Sequence, residues 1–431
     1  MASTYLSRTA SSGSNQIYTA SCWVKRTGLS ASTTVLSTGD GSADNNARML
    51  FIDANDKIEI SYYNAGYTYE VTTNRVLRDT SAWYHLVVAV DTTQATASDR
   101  IKIWVNGVQE TSFETSSYPS LNATFNYNSS AQYIGDLRGS GIYSDFVLSH
   151  LNYIDGTAYD ASAFGEYDAN GVWKIKTSPS VTYGTNGFFI LKDGNSVTDQ
   201  SGNGNNFTVG GGTLTNTEDN PSNVFATLNS LNYTSSAVTY SNGNTKGTYP
   251  GFWIASQGTI GGMNGKYFWE AKVNSGNNAN LFYGICRPNI DLDTSPQNQT
   301  GVICQHINGD RYVDGTYTAS TAEALVNGNI LGVALDLDSA TKTVKFYKNG
   351  TLLSSGSSIN LTSTYDNEFV LPFFAGNNSS ASSIWETNFG NGYFSTTAVS
   401  SAGTNASGNG IFEYDVPTGY TALCTKGLNG E

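Results

Sequence analysis

The chain has 431 residues, and at roughly 100–200 residues per domain this length sets an expectation of two or three domains. Hydrophobic residues are 39% and charged residues 13%, with 45 glycines, 27 tyrosines and an excess of Asn, Ser and Thr, a turn-rich strand composition that excludes a mainly helical protein. A formal net charge of −13 argues against nucleic acid as a partner, because binding phosphates needs a surplus of Lys and Arg.

In chain order, the start from Met1 to Trp23 lacks a basic segment followed by an apolar run. No stretch reaches the ~18 apolar residues of a membrane-spanning helix. The expectation is a protein made in the cytoplasm, with no signal peptide and no membrane insertion. Short alternating runs follow at Cys22-Trp-Val-Lys, Met49-Leu-Phe-Ile, Lys57-Ile-Glu-Ile-Ser-Tyr-Tyr and Leu86-Val-Val-Ala-Val-Asp91, and each predicts a strand. In Arg100-Ile-Lys-Ile-Trp-Val, alternation sends Ile101, Ile103 and Val105 to one face and Arg100, Lys102 and Trp104 to the other. Asn106-Gly107 then supplies the two positive-φ positions of a tight hairpin turn.

Around 193–222 the pattern gives way to turn formers, Asp193-Gly-Asn-Ser, Ser201-Gly-Asn-Gly-Asn-Asn and Gly210-Gly-Gly-Thr, and this stretch is expected to be a Gly/Asn-rich linker. Further strands are predicted at Lys266–Val273, Leu281–Ile285, Leu331–Asp338, Lys342–Lys348 and Phe369–Phe374, with Asn349-Gly350 closing a second hairpin. The two halves echo one another, which predicts two versions of one sandwich architecture. The fold class is therefore all-β, with two tandem antiparallel β-sandwich domains of jelly-roll type. Residues 1–192 form the first, 223–395 the second, and 396–431 a C-terminal extension packing on the second.

Trp83-Tyr-His-Leu-Val-Val-Ala-Val-Asp91 followed by Ile101-Lys-Ile-Trp-Val-Asn-Gly107 resembles the paired central strands of laminin-G-like domains of the concanavalin A-like class, over about residues 5–192. Gly265-Lys-Tyr-Phe-Trp-Glu-Ala-Lys-Val273, Tyr283-Gly-Ile285, Val333-Ala-Leu-Asp-Leu-Asp338, Val344–Gly350, Leu371-Pro-Phe-Phe374 and Asn388-Phe-Gly390 together resemble a SPRY domain. Three further phrases frame these modules: Tyr5-Leu-Ser-Arg-Thr with Ser21–Arg26, Asp219-Asn-Pro-Ser-Asn-Val-Phe-Ala-Thr-Leu228, and Pro417–Thr425. In that order they look like structural proteins of tailed, often marine, bacteriophages: fibre, knob or decoration components. The resemblance implies a virion-surface location and capsid or tail proteins as partners. It also implies homo-oligomers on the particle and weak multivalent adhesion to host-surface glycans.

Catalysis on a concanavalin A-like fold would need two carboxylates flanking a glycosidic bond. The nearest approaches, Glu166-Tyr-Asp168 and Glu413-Tyr-Asp415, lack the final Glu of the Glu-x-Asp-x-Glu pattern. His85, His150 and His306 show no metal or nucleophile spacing, and no enzyme is expected. Cys22, Cys286, Cys304 and Cys424 lack CxxC spacing, predicting buried free thiols. Asp40/Asp44 and Asp291/Asp293 are acidic loop pairs that could ligate calcium or simply be solvated, and neither metal nor cofactor is expected.

Sugar binding needs aromatic faces beside amide and hydroxyl partners. Tyr62, Tyr63, Tyr67 and Tyr69 flank the Asn64-Ala-Gly66 turn, while Trp253, Tyr312 and Tyr317 fall in or beside loops of the second module. These seven are the glycan-contact candidates. The competing reading for the tyrosines is cross-strand pairing within a hairpin, and for Trp253 a place in the core. Two other functions stay open at this stage: a purely structural docking protein of capsid or tail, and a polysaccharide depolymerase.

Overall fold

The alternation in Arg100–Val105 is realised in the computed structural model, which describes residues 3–192, 196–231, 238–275, 280–319, 322–353, 358–377 and 383–430. Ile101, Ile103 and Val105 enter the main core of the first unit, whereas Trp104 joins a smaller apolar cluster on the other face of the same sheet. Asn106 and Gly107 take φ of 49° and 82°, and Asn349 and Gly350 take 48° and 78°. Both Asn-Gly pairs thus adopt the doubly left-handed turn that suits the twist of a two-residue hairpin.

The chain divides into two units, Met1–Asn216 and Thr217–Glu431. In the first, an eight-stranded sheet runs Phe113–Ser117, Tyr67–Val76, Lys57–Tyr63, Asn46–Ile52, Thr33–Gly39, Ala131–Ile134, Tyr5–Thr9 and Thr208–Gly210. A six-stranded sheet runs Phe188–Ile190, Phe146–Asp155, Ile17–Arg26, Trp83–Asp91, Ile101–Val105 and Val108–Gln109. Ile58, Ile60 and Val71 of one sheet and Leu86, Val88 and Ile103 of the other are all fully buried in one core, the arrangement of an antiparallel sandwich. The buried Arg26 guanidinium, 2.6 Å from Asp56, adds an interior ion pair, and it also donates to the Leu77 and Ala31 carbonyls.

In the second unit, a larger sheet carries Thr239–Ser241, Lys246–Tyr249, Ser383–Asn388, Lys266–Ser275, Ile330–Asp336, Thr343–Lys348 and Thr351–Leu352 in that order. A facing sheet carries Ile254–Gln257, Leu371–Asn377, Asn280–Cys286, Val302–His306, Arg311–Val313 and Thr316–Thr318. Trp269, Trp385, Tyr283, Phe346 and Phe374 fill the space between them. The C-terminal extension lies on the outer face of the larger sheet. There Phe412, Val416 and Tyr420 pack with Phe268 and Ala334, and Thr421–Ala422 pairs in parallel with Tyr267 and Phe268. Glu270, fully buried, accepts the backbone N–H of Glu413 at 2.8 Å and of Tyr414 at 2.9 Å, and so latches the extension to the sheet. Burial pushes its carboxyl up to about 7, in spite of those bonds.

The stretch expected as a linker is largely built into the first unit, although Asp193, Gly194 and Asn195 lie outside the described residues. Thr208–Gly210 pairs with Tyr5–Ser7, and Phe207 is buried in the core. Asp199 organises the loop by accepting N–H bonds from Phe189, Ser201 and Asn205, while Arg8 donates to the Asn205 side chain at 2.7 Å. The turn formers are not a spacer: their polar side chains satisfy the backbone locally and deliver one phenylalanine to the core. All four cysteines are buried free thiols.

Candidate functional site

The first unit splits its tyrosine quartet by register. Tyr62 pairs with Tyr69 and Tyr63 with Tyr67 across the hairpin. Tyr69 is fully buried and Tyr62 is 8% exposed; both rings pack against Phe125. The Tyr69 and Tyr127 hydroxyls share a 2.7 Å hydrogen bond in the core. Tyr62 and Tyr69 are therefore interior residues and not contact candidates: strand alternation turns them inward, where a phenol is tolerated because it finds a partner. Tyr63 and Tyr67 stay at the tip, their rings 5.4 Å apart and perpendicular. Arg48 donates to the Tyr67 hydroxyl at 2.9 Å while pairing with Glu59 at 2.5 Å, which fixes that ring's orientation.

The acidic loop pairs shape turns. Asp40 accepts from Ser42 N–H, Asp44 from Ala65 N–H, and Asp291 from the N–H groups of Asp293 and Thr294. Among the described residues no three His, Cys, Asp or Glu side chains converge as a metal-holding group.

In the second unit, the structure brings Trp253, Tyr312 and Tyr317 together. The strand Asn280–Cys286 sends Leu281, Tyr283 and Ile285 into the core and Phe282 and Cys286 to the outer face of its sheet. On that face the ring centroids of Trp253 and Phe282 are 5.2 Å apart, those of Phe282 and Tyr312 5.5 Å, and those of Tyr312 and Tyr317 5.3 Å. His306 lies 4.6 Å from Phe282, and burial lowers its pKa, favouring the neutral ring. The result is an aromatic row in which Phe282 is buried, Trp253 and Tyr312 are half-buried and Tyr317 is exposed. A polar rim completes it. The Tyr317 hydroxyl donates to Asp310 at 3.1 Å, and the Asn308 amide donates to the same carboxylate at 2.9 Å. Phe282 and His306 were not among the sequence-based candidates. The signal for Phe282 was present in the alternation of Leu281-Phe-Tyr-Gly-Ile, which places it opposite the core residues.

The carboxylate pairs are drawn into local structure. Asp168 accepts the N–H groups of Asn170 and Val172 and pairs with Lys174, while Glu166 pairs with Lys176 at 3.7 Å. Glu413 accepts from Ser400, and Asp415 from Thr404. His85 is buried between Trp23 and Trp173, with centroids at 4.9 and 5.8 Å. Because the Trp173 indole can only donate, Nδ1 of His85 accepts at 3.0 Å, so Nε2 carries the proton and donates to Ser21 Oγ at 3.0 Å. Burial holds that ring neutral, with a pKa pushed down to about 3.

Comparison with known proteins identifies the two domain types. Residues 2–157 match the laminin-G-type family model described as the concanavalin A-like lectin/glucanases superfamily, and residues 266–391 match the SPRY domain model. The chain carries a concanavalin A-like domain followed by a SPRY domain. Among solved structures, the SPRY domain of human HERC1 is 17% identical, with 37% of this chain and 96% of that one covered and a TM-score of 0.31. A human SPRY domain is 12% identical, covering 34% and 93% with a TM-score of 0.27. The TRIM65 PSpry domain is 13% identical, covering 37% and 87% with a TM-score of 0.28. A comparison with curated proteins gives no match. In the SPRY domain the aromatic row thus occupies the outer face of the sheet that contains Asn280–Cys286 and Val302–His306.

Proposed function

We propose that the chain is a non-catalytic adhesion protein in which the aromatic row of the SPRY domain stacks on glycans. The observation that carries this reading is the surface of Trp253, Tyr312 and Tyr317, held by the buried Phe282 ring and bordered by Asp310 and Asn308. Flat faces suit the C–H side of a pyranose, and the polar rim suits its hydroxyls. Affinity at one such site is modest: a Kd of about 1 mM corresponds to roughly 4 kcal/mol. Display of many copies raises the apparent affinity by about 10²–10⁴ where the geometry allows simultaneous engagement.

The setting we propose is the surface of a tailed-bacteriophage particle, as a knob, decoration or fibre component anchored to capsid or tail protein. Its support is the resemblance of the three framing phrases, Tyr5–Thr9, Asp219–Leu228 and Pro417–Thr425. The adhesive part is tested on a glycan array with assembled multimers of wild type and Tyr317→Ala. Binding that the substitution weakens supports it, and a blank array removes it. Immunogold microscopy of particles with antibodies to residues 223–431 tests the setting. A second reading, docking of a capsid or tail protein, is favoured by the apolar neighbours of the row, Ile290 and Leu371. Stoichiometric capture of purified capsid or tail protein with the array blank would replace the first reading by the second.

A further inference from the structure

The concanavalin A-like domain has a second aromatic site that the candidate residues did not include. Downstream of the stretch matching the family model, a hairpin of Gly165–Tyr167 and Trp173–Ile175 lies over the outer face of the six-stranded sheet. Trp173 fixes it there. Its indole donates to His85 and is wedged between Gly107 and Gly165, where an added Cβ would come within 2.4 Å of the ring at either position. Tyr167 stands against this immobilised indole, with centroids 4.8 Å apart at 69°. Trp104, only 8% exposed, also lines the cleft of about 370 Å³ that opens here.

The cleft has the marks of a ligand site rather than of incomplete packing. Tyr167, one of the cleft's two aromatic walls, is 53% exposed, so an apolar ring at its mouth stays open to solvent. Its charged lining groups are engaged: Glu166 faces Lys176 at 3.7 Å, the Lys176 ammonium donates to the Ser162 carbonyl at 2.7 Å, and Asp160 accepts the Ser162 N–H at 2.9 Å. A charged ligand would compete with these contacts, whereas a neutral one can share them. A neutral one meets two aromatic walls at a wide angle, with the exposed Glu166 carboxylate and the Lys176 ammonium as acceptor and donor. The volume sits at the lower end of the roughly 300–1,000 Å³ typical of small-molecule sites, room for one or two sugar rings.

We propose that this cleft is a recognition site for one or two uncharged pyranose units, separate from the aromatic row. The choice of a sugar rests on the adhesive reading above, whereas the site itself rests on the cleft. Saturation-transfer NMR of the full chain with maltose, cellobiose and N,N′-diacetylchitobiose, followed by calorimetry, tests it. Tyr167→Ala and Lys176→Ala remove one wall and one donor, Tyr317→Ala removes the end of the other site, and near-UV circular dichroism verifies folding of each variant. The expected result is binding of at least one disaccharide, weakened about tenfold or more by Tyr167→Ala and unchanged by Tyr317→Ala. Binding lost only in Tyr317→Ala overturns the cleft and leaves the adhesive reading standing. Absence of binding to wild type overturns the cleft, while the adhesive reading is decided by the multimer glycan array. Tetramethylammonium bound in preference to every sugar overturns the ligand class.

Discussion

In the concanavalin A-like domain the cross-strand pair Tyr62 and Tyr69 faces inward, rings 6.4 Å apart, against Phe125. In the SPRY domain the cross-strand pair Tyr312 and Tyr317 faces outward, rings 5.3 Å apart, beside Phe282. Residue type and pairing are the same; the side of the sheet differs. One pair is part of the interior, with a phenol bonded to Tyr127, and the other is a surface whose end hydroxyl reaches Asp310. A tyrosine-rich hairpin therefore leaves its rings accessible only when the core is supplied from the opposite face of the sheet, as Tyr283 and Ile285 supply it beside Phe282.

The strongest test of this contrast is Tyr69→Ala, expected to destabilise the first domain by about 3–5 kcal/mol through the cavity and the orphaned hydroxyl it leaves. Urea unfolding followed by hydrogen exchange of peptides from residues 58–71 measures it, and a loss below 1 kcal/mol would contradict the inward assignment. Next in size is a pH effect on the SPRY side. Glu270 titrates at about 7 in the fold against an ordinary 4.5, so the protonated form is the one the fold favours. Stability from this group is complete below about 4.5 and is lost as pH rises through about 7, a span of roughly 3 kcal/mol. Exchange in residues 411–424 should be faster at pH 8 than at pH 5.5 after correction for intrinsic rates, and Glu270→Gln should flatten the difference.

Tyr69→Phe is a smaller change. It leaves the Tyr127 hydroxyl without its partner, at a cost of about 1–3 kcal/mol, readable in the same unfolding experiment. Smallest in stability is Tyr317→Ala, expected within about 0.5 kcal/mol of wild type while weakening glycan capture; a large loss of stability would make the outward pair a core element after all.

Much of this architecture was legible. Asn106-Gly107 and Asn349-Gly350 each require left-handed backbone at both positions, and the strict alternation of Arg100–Val105 leaves one choice of inward face. The quartet Tyr62, Tyr63, Tyr67 and Tyr69 offered tyrosine to both faces, so periodicity separated the pairs without saying which was covered. That depended on Phe125 and Tyr127, more than fifty residues downstream. Phe207 was hidden because a single buried ring in a run of Gly and Asn carries no period. The cleft around Trp173 escaped for a related reason: the strands Gly165–Tyr167 and Trp173–Ile175 are 3 residues each, too short to display alternation.

The buried, unbridged state of Cys22, Cys286, Cys304 and Cys424 means that the sandwiches owe nothing to oxidation, so the same fold is reachable in a reducing or an oxidising medium. It also equips each domain with its own clock. A thiol reagent reaches Cys22 only when the first domain opens and the other three only when parts of the second do, so the order in which they are modified reports the order in which the two domains yield.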